Sequence, residues 1–293
     1  MDDSFALRAG EARALVSAQG AECRQWRIGA RDMLWAGGGT IWPSVAPVLF
    51  PACGWSRNGQ IRIGEKTYPM PVHGFASHGR FDAKPIDDSA ICFTLRSDET
   101  TAHHYPFNFT LALTYRLAPT ALNVSFEVVN DGDCVMPYAV GLHPGFVLDW
   151  KPGPHCFTFA QDQRPEVPVI APGGLFSQVR RAVPLQGRRL DLTPELFCAE
   201  ALCFLDLAKR RFALEGPEGR LSIDAPDFPH LVLWNRQGAP FLAIESWTGT
   251  GDPEDFSGEF FARPSMIQLP PGQRRTHHVR YCWEPLGRAQ AKA

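Results

Sequence analysis

The chain has 293 residues, 44% of them hydrophobic and 20% charged, which is the composition of a globular protein that can bury a sizeable core. Its 29 basic and 31 acidic side chains give a net charge of -2, which argues against nucleic acid as a partner and against a basic membrane-binding surface. The 26 Pro and 26 Gly residues are scattered along the chain, a distribution that favours many turns between short strands over long helices.

The apolar segments and the cysteines indicate the compartment. No stretch approaches the roughly 18 to 20 apolar residues that a membrane helix needs, and the acidic N-terminus is followed by no apolar core of signal-peptide length. The eight cysteines form no C-x-x-C pair, and several lie in apolar runs. Buried free thiols explain them better than disulfides or zinc, so we expect a cytoplasmic protein, monomeric or homodimeric.

The first segments along the chain are rich in Gly and Pro. Residues 37–39 are three glycines without the strand, helix and lysine context of a phosphate-binding loop, and we interpret them as a turn. Residues 47–59 and 71–76 follow, and their rigid, partly polar composition marks them as candidates for a functional site.

The clearest strand signal lies in the middle of the chain. Apolar residues occupy every second position over 109–117, and the alternation resumes over 122–128 after a turn that contains Pro119. A period of two on both sides of such a turn predicts an antiparallel hairpin with one face in a core. Shorter alternating runs, which predict further strands, occupy 91–95, 231–233, 241–245 and 279–283.

Helical periodicity is nearly absent, and one short helix is predicted, with Thr193 as its N-cap and Pro194 in its first turn. We find neither an internal repeat nor a low-complexity linker. The sequence therefore predicts a mainly β protein, one large antiparallel β-sandwich spanning residues 1–286, with few short helices. Residues 287–293 are predicted to form a disordered tail.

Glu245 is the most informative candidate for a functional residue. It lies in the strand predicted over 241–245, on the same face as Phe241 and Ala243, in an otherwise apolar stretch. A carboxylate in such surroundings is either desolvated, with a raised pKa, or held by partners. The competing interpretation is a salt-bridged residue of the core or of a sheet edge.

His143 stands between Gly141 and Gly145, where a constrained backbone can aim its imidazole. Because an imidazole titrates near pH ~6.5, it can both donate and accept a proton under working conditions. The competing interpretation, for His143 and equally for His73, is a turn histidine bonded to a backbone carbonyl.

Two tryptophans and two pairs of adjacent histidines are further candidates for a functional site. Trp55 and Trp247 each lie beside a candidate polar residue and offer flat faces to a sugar ring, although a lone tryptophan more often belongs to the core. The adjacent pairs His103-His104 and His277-His278 are poor metal sites, because neighbours on a strand point to opposite faces. We therefore expect no metal.

Four segments of the chain resemble the aldose 1-epimerase family, particularly its bacterial LacX-like branch. That branch carries P-x-L-F-P-x-x-G, H-G-F-A, G-x-H-P-x-F and E-x-W-x-G…D-x-x-D-F-S-G in this order. Here the four motifs fall at 47–54, 73–76, 141–146 and 245–258. The aromatic residues 105–107 before the hairpin match as well, and the resemblance extends from about residue 12 to about residue 283.

This resemblance implies a galactose mutarotase-like β-supersandwich that interconverts the α and β anomers of a free aldose without a cofactor. By position, Glu245 resembles the base that takes the proton of the anomeric hydroxyl, His143 the acid that protonates the ring oxygen, and His73 a sugar-binding residue. Glu200 falls where the family usually has an aspartate that holds sugar hydroxyls. The chemistry agrees, because opening a hemiacetal needs one proton removed and one supplied, and each positioned acid or base contributes ~10²–10⁴-fold.

Two departures from the family pattern bear on the substrate. Many relatives have an arginine directly after the glycine of the first motif, where this chain has Trp55. Arg57, two residues on, is expected to substitute for it and to point into the sugar pocket, since positions i and i+2 of a strand share a face. Glu200 in place of aspartate lengthens the side chain by one methylene. Either change can shift the preferred sugar.

Three alternatives stay open. A non-catalytic sugar-binding or regulatory protein can share the fold, although a pure binder does not need both His143 and Glu245. A glycoside hydrolase would use two carboxylates such as Glu200 and Glu245, but the histidine motifs argue against it. A mutarotase for sugar phosphates needs clustered Arg or Lys, and only Arg57 and Arg62 lie near a motif.

Overall fold

The computed structural model of the chain describes residues 3–151, 153–236 and 238–286, so the predicted tail at 287–293 lies outside the described residues. In chain order the strands are β1 (Ser4–Ala9), β2 (Ala12–Ser17), β3 (Cys23–Ile28), β4 (Arg31–Asp32), β5 (Val48–Leu49), β6 (Gln60–Ile63), β7 (Lys66–Pro69), β8 (Asp82–Asp87), β9 (Ala90–Arg96), β10 (Phe109–Ala118), β11 (Ala121–Asn130), β12 (Met136–Tyr138), β13 (Gly141–Leu142), β14 (Gly145–Val147), β15 (His155–Phe159), β16 (Glu166–Ala171), β17 (Leu175–Ala182), β18 (Leu185–Gln186), β19 (Arg189–Leu192), β20 (Leu202–Phe204), β21 (Arg211–Gly216), β22 (Gly219–Asp224), β23 (His230–Trp234), β24 (Phe241–Trp247), β25 (Ile267–Leu269) and β26 (Arg274–Pro285). The helical segments are α1 (Glu99–Ala102) and the 3-10 turns Arg57–Gly59, Ala76–His78, Pro194–Phe197 and Phe260–Ala262. Within the described ranges, no helix has the length and apolar character needed to cross a membrane.

Two antiparallel sheets face each other. The larger has ten strands in the order β18-β19-β15-β21-β22-β26-β11-β10-β9-β8, and the smaller has six, in the order β20-β23-β24-β13-β5 with β14 also paired to β24. Aromatic side chains bridge them: the rings of Phe159 and Phe204 lie 4.9 Å apart, and those of Phe146 and Tyr281 lie 5.1 Å apart. Two antiparallel sheets packed face to face confirm the predicted β-sandwich. The small sheets are β1-β2-β3-β4, β12-β25, β16-β17 and β6-β7.

The predicted central hairpin is confirmed. β10 and β11 pair from Phe109 opposite Asn130 to Ala118 opposite Ala121, with a two-residue turn between the strands. Every second side chain of β10 is buried in the core between the sheets, and the others are partly or fully exposed. Each large apolar side chain contributes about 1.5–3 kcal/mol when it is fully buried, so the alternation fixes the register of the hairpin.

The short helices follow the prediction at one place and depart from it at another. The helix predicted after Thr193 is present as the 3-10 turn Pro194–Phe197, with the proline in its first turn. The helix α1 has no counterpart among the predicted elements. Asp98 caps it: Asp98 Oδ1 accepts a hydrogen bond from Thr101 N at 2.7 Å, and Thr101 Oγ1 accepts one from Asp98 N at 2.8 Å. Four residues are too few to show a helical period.

The two histidine pairs lie in different settings. On β26, His277 is buried and His278 is exposed, as expected for neighbours on a strand. His103 and His104 instead follow α1, so the assumption that they lie on a strand is wrong. Their Nδ1 atoms contact two different carbonyl oxygens, those of Glu99 at 2.6 Å and Pro69 at 2.7 Å. Neither pair therefore presents its two rings to one point.

Strand β24 carries Glu245 and is buried on both of its faces. Leu242 and Ile244 point into the core between the two sheets. Phe241 and Ala243 lie on the opposite face, where loop residues such as Trp42 pack over them. Glu245 belongs to this second face, which explains why a carboxylate stands in an apolar stretch of sequence.

His277 gives the fold a predicted pH dependence. Its ring is fully buried, with Nε2 2.9 Å from the Tyr138 hydroxyl oxygen, and burial, followed by the nearby Arg275, lowers the pKa of His277 to about 4. In the unfolded chain the His277 imidazole gains a proton near pH ~6.5, so above that pH the ring is neutral in both states and the free energy of unfolding is not reduced by it. As the pH falls from there toward about 4, only the unfolded state gains the proton, and the free energy of unfolding decreases by at most about 3 kcal/mol. We expect the free energy of unfolding in urea to depend less on pH in this window in His277→Gln than in the wild type.

His278→Gln is the matched control, because it removes an exposed ring from the neighbouring position of the same strand. It should keep the pH dependence of the wild type. If both variants lose the same pH dependence, the buried ring is not its source.

Candidate active site

Glu245 lies on β24 of the smaller sheet, and His143 lies beside it in the segment between β13 and β14. β13 pairs with β24 before His143 and β14 pairs with β24 after it, in one continuous register that places His143 opposite Glu245. Opposed side chains share a face, and His143 Nε2 lies 3.2 Å from Glu245 Oε1. The backbone is fixed on both sides: His143 N donates to Pro47 O at 3.1 Å, and Ile244 N donates to Pro144 O at 3.0 Å.

Burial determines the charge of this pair. It raises the pKa of Glu245 well above its usual range, a shift that the hydrogen bond from Trp247 opposes. Burial, followed by the nearby His73, lowers the pKa of His143 well below its usual range. Each shift disfavours a charged form, so the pair at rest holds one titratable proton, on the Glu245 carboxyl, beside a neutral imidazole.

His73 approaches the pair from a strained loop, its ring centroid 5.5 Å from that of His143. It adopts a left-handed φ of 65°, and Gly74 follows at 77°, where a Cβ would overlap the Phe50 carbonyl. Gly54 N donates to His73 Nδ1 at 3.1 Å, so a neutral ring carries its proton on Nε2. Burial lowers the pKa of His73 to about 4, which keeps the ring a neutral donor.

Tryptophan rings surround the pair. The His143 ring lies 5.0 Å from Trp42 at an interplanar angle of 31°, and 5.7 Å from Trp234 at 85°. Trp247 Nε1 donates to Glu245 Oε2 at 3.0 Å. Gly145 makes room for this packing, because a Cβ there would come within 2.7 Å of the Trp42 ring. The rings keep water away from both catalytic candidates, which is the origin of their shifted pKa values.

A buried ion pair holds the loop that carries Trp55. Arg263 Nε lies 2.6 Å from Asp252 Oδ1, with the two side chains 0% and 7% exposed. Arg263 Nη2 donates to the Trp55 carbonyl at 2.7 Å, and Asp252 N donates to the same oxygen at 2.8 Å. Asp252 Oδ2 accepts from Arg57 N at 2.7 Å. The Trp55 indole is 47% exposed on this fixed backbone.

Arg57 does not reach the cavity in which the other candidates meet. It lines a separate depression beside Arg62 and Phe256. The expectation that Arg57 points into the sugar pocket is therefore wrong. Positions i and i+2 share a face on a strand, whereas Arg57 begins a 3-10 turn in which Asn58 has a φ of 56°.

Glu200 faces the cavity with both carboxylate oxygens already engaged. Oε2 accepts from Ile170 N at 2.6 Å, and Oε1 accepts from Arg181 Nε at 2.9 Å. Ile170 and Arg181 belong to the hairpin β16-β17, so Glu200 fastens that hairpin beside the cavity. Anchoring is thus a second task of this carboxylate besides the sugar contact that the resemblance implies.

Six of the seven predicted site residues line one cavity of about 510 Å³: Trp55, His73, His143, Glu200, Glu245 and Trp247. The other lining residues are mostly apolar and aromatic, and they include Trp42, Leu49, Phe176, Val232 and Trp234. Among the described residues, no lysine or arginine lines this cavity. An aromatic cavity with a few convergent polar groups suits a neutral ligand.

Four residues that shape the site are not among those predicted from the sequence: Trp42, Trp234, Arg181 and Arg263. A signal existed for Trp234, because it follows the strand predicted over 231–233 and position i+2 from Val232 puts both side chains on one face, the face that lines the cavity. Trp42 follows the glycine turn at 37–39, but its partner His143 is a hundred residues away. Nothing local marks such contacts.

His73, His143 and Glu245 also form a group that could hold a metal ion, since one donor atom from each lies within 4.8 Å of the others. Two imidazole nitrogens and a carboxylate are a donor set that Zn²⁺ accepts. The expectation that the protein uses no metal stays a prediction.

Known proteins resemble this chain in sequence and in fold. Residues 3–282 match the family model described as Aldose 1-epimerase. Over 255 residues the chain is 28% identical to the chromosomal protein LacX of Lactococcus lactis subsp. lactis, covering 82% of this chain and 85% of that protein. A galactose mutarotase-like protein from Lactobacillus casei ATCC 334 has a crystal structure that superposes with a TM-score of 0.90 at 29% identity, covering 96% of this chain and 100% of that one.

A more distant solved structure, galactose 1-epimerase from Lactobacillus acidophilus NCFM, shares the fold. It superposes with a TM-score of 0.72 at 16% identity and covers 96% of this chain and 94% of that one. With the family model matching nearly the whole sequence, the chain belongs to the aldose 1-epimerase family.

Proposed function

We propose that this chain is a mutarotase that interconverts the α and β anomers of a free, unphosphorylated aldose. The observation that carries the proposal is the 3.2 Å contact between His143 Nε2 and Glu245 Oε1 on the wall of an aromatic cavity. A buried acid and base at this distance can serve two oxygens of one hemiacetal, the anomeric hydroxyl and the ring oxygen.

The reaction needs one proton on the pair. When the proton lies on His143, Glu245 accepts the proton of the C1 hydroxyl while His143 gives its proton to the ring oxygen O5, and the C1–O5 bond breaks. The resting proton on Glu245 first moves to His143, a transfer favoured when sugar hydroxyls solvate the charges that result. Rotation about C1–C2 exposes the other face of the aldehyde, and the reverse transfers close the ring as the other anomer. His73 Nε2–H is placed to donate to a sugar oxygen beside the pair.

Two alternatives lose support from the geometry. A sugar-phosphate mutarotase needs clustered Arg or Lys for the dianion, and among the described residues no arginine or lysine lines the cavity. A glycoside hydrolase that used Glu200 as its acid would need a proton on a carboxylate that already accepts from Arg181 and from the Ile170 amide. A sugar-binding protein without catalysis is separated from the proposal by the rate measurements below.

We also propose that the protein works in the cytoplasm, as a monomer or a homodimer. All eight cysteines are free thiols, and four of them are buried: Cys23, Cys53, Cys156 and Cys203. Disulfides persist in oxidising compartments and are rare in the cytosol, so the free thiols fit a reducing environment. The proposed reaction transfers protons and breaks and re-forms the C1–O5 bond without oxidation or reduction, so it needs no cofactor.

Substitution of either member of the pair should remove catalysis. Glu245→Gln keeps the shape and an acceptor for Trp247 but cannot take a proton, so the catalysed rate of mutarotation should fall by roughly 10²-fold or more. His143→Asn should do comparable damage. The double variant should cost much less than the sum of the two, because the residues act in one step. Polarimetry, with the spontaneous rate subtracted, measures all three.

The matched controls are Glu284→Gln and His278→Asn, which change an exposed carboxylate and an exposed imidazole on β26. Both should retain the wild-type rate. A Glu245→Gln protein that keeps wild-type mutarotation on its best sugar would rule out the mechanism and leave sugar binding as the function.

The pH profile of kcat/KM should be a wide bell. Activity is lost on the acid side when the pair gains a second proton and on the alkaline side when it loses its only proton. Burial lowers the pKa of His143 below its ordinary value of about 6.5, which moves the acid limb to lower pH. It raises the pKa of Glu245 above its ordinary value of about 4.3, which moves the alkaline limb to higher pH. The acid limb should therefore lie below about pH 6.5, and NMR of the His143 ring should show it neutral at that pH. An acid limb centred on the ordinary imidazole pKa would contradict this.

Chelation should leave the rate unchanged, because side chains carry every proton transfer. Dialysis against EDTA tests this expectation. Excess Zn²⁺ should inhibit in competition with sugar, since it would occupy the donor atoms of His73, His143 and Glu245. A rate that disappears with EDTA and returns with a metal would show that the expectation of a metal-free reaction is wrong.

A further inference from the structure

Trp55 combines exposure with a fixed position. Four tryptophans line the cavity, namely Trp42, Trp55, Trp234 and Trp247, and among them Trp55 is the exposed one, at 47%. A large aromatic ring left in water normally costs free energy that burial would recover. Other exposed apolar side chains, Ile86 and Val179, are not part of the cavity wall, so Trp55 differs from them in combining exposure with a place at the candidate site.

The support beneath Trp55 is rigid. Its carbonyl accepts hydrogen bonds from Arg263 Nη2 at 2.7 Å and from Asp252 N at 2.8 Å, and these two residues form the buried ion pair. On another side, the five-membered part of the indole lies against Gly174, where a Cβ would overlap the ring. A ring whose backbone is fixed and that rests against Gly174 loses little conformational freedom when a ligand packs on it, which favours binding.

We propose that Trp55 forms a second sugar subsite at the mouth of the cavity, so that the preferred substrate is a neutral reducing disaccharide. This inference rests on the proposed function, because it assumes that the free anomeric carbon lies at His143 and Glu245. The second sugar ring packs its apolar face on the indole of Trp55.

The reaction itself dictates where the second ring can be. A substituent on the anomeric oxygen would leave no hydroxyl proton for Glu245 to remove, so the extra ring must be attached elsewhere on the sugar. With C1 and O5 directed at the catalytic pair, the far edge of the ring faces the mouth, where Trp55 and Gly174 lie. The cavity of about 510 Å³ falls within the range of about 300–1,000 Å³ that holds ligands larger than one hexose.

The charge of the wall restricts the second ring to a neutral sugar. Glu200 and Glu245 are the ionisable acids of the cavity, and no described lysine or arginine lines it. A uronic acid or phosphate on the second ring would find no cation there.

Isothermal titration calorimetry on the intact protein tests the subsite through matched sugars. Glucose is compared with cellobiose and maltose, which have glucose at the reducing end, and galactose with galactobiose. At least one disaccharide should bind about tenfold more tightly than its reducing-end sugar. Trp55→Ala should reduce that ratio to about one, whereas Trp55→Phe should keep most of it. Ile86→Ala, which removes another exposed apolar side chain on β8, is the control and should leave the ratio unchanged.

Each other outcome overturns the inference. Disaccharides that bind no more tightly than their unit sugars would refute it, as would a ratio that survives Trp55→Ala. If light scattering shows that Trp55→Ala dissociates a dimer while the sugar ratio is unchanged, Trp55 belongs to a subunit interface instead.

Polarimetry separates this inference from the proposed function. If the wild type epimerises a monosaccharide but lacks the disaccharide preference, the subsite falls and the proposed function stands. If it binds disaccharides preferentially through Trp55 but epimerises no sugar, the subsite stands and the proposed function falls.

Discussion

The contact between Glu245 and His143 is the interaction on which the rest of the site depends. Two ionisable groups lie 3.2 Å apart with almost no exposure to water, so any charge on them must be stabilised by the protein or by the substrate. When the pair shares one titratable proton and no substrate is bound, both groups are neutral, so no buried charge has to be stabilised. The same arrangement supplies one acid and one base, which is what ring opening requires.

The fold meets the demands of this pair through strand β24. A strand buried on one face alone would leave Glu245 in solvent, where its pKa would stay ordinary and its orientation would be free. Here the core between the sheets covers one face, and Trp42, Trp234 and Trp247 surround the pair on the other. The register then places His143 opposite Glu245. Position and acidity thus both follow from one buried strand.

How much the sequence predicts depends on the range of the contacts involved. The hairpin of β10 and β11 is visible because its pattern is local and has a period of two. Glu245 is visible because a carboxylate among apolar residues is unusual. Arg57 was placed wrongly because a two-residue geometry depends on whether the segment is a strand or a turn. Arg263, which also forms an ion pair with Asp252, is not predictable from the sequence, because its hydrogen bond to the Trp55 carbonyl joins segments that are far apart along the chain.

Asp252 shows why the fourth motif extends so far beyond Glu245. One oxygen of its carboxylate faces Arg263 and the other accepts from the Arg57 amide, while its backbone carbonyl accepts from Phe176 N at 2.9 Å on β17. The residue therefore joins the Trp55 loop, a buried arginine and the hairpin that Glu200 anchors. None of these contacts involves Glu245 or His143. The support of the exposed Trp55 is therefore built separately from the support of the buried pair, which rests on the register of β24.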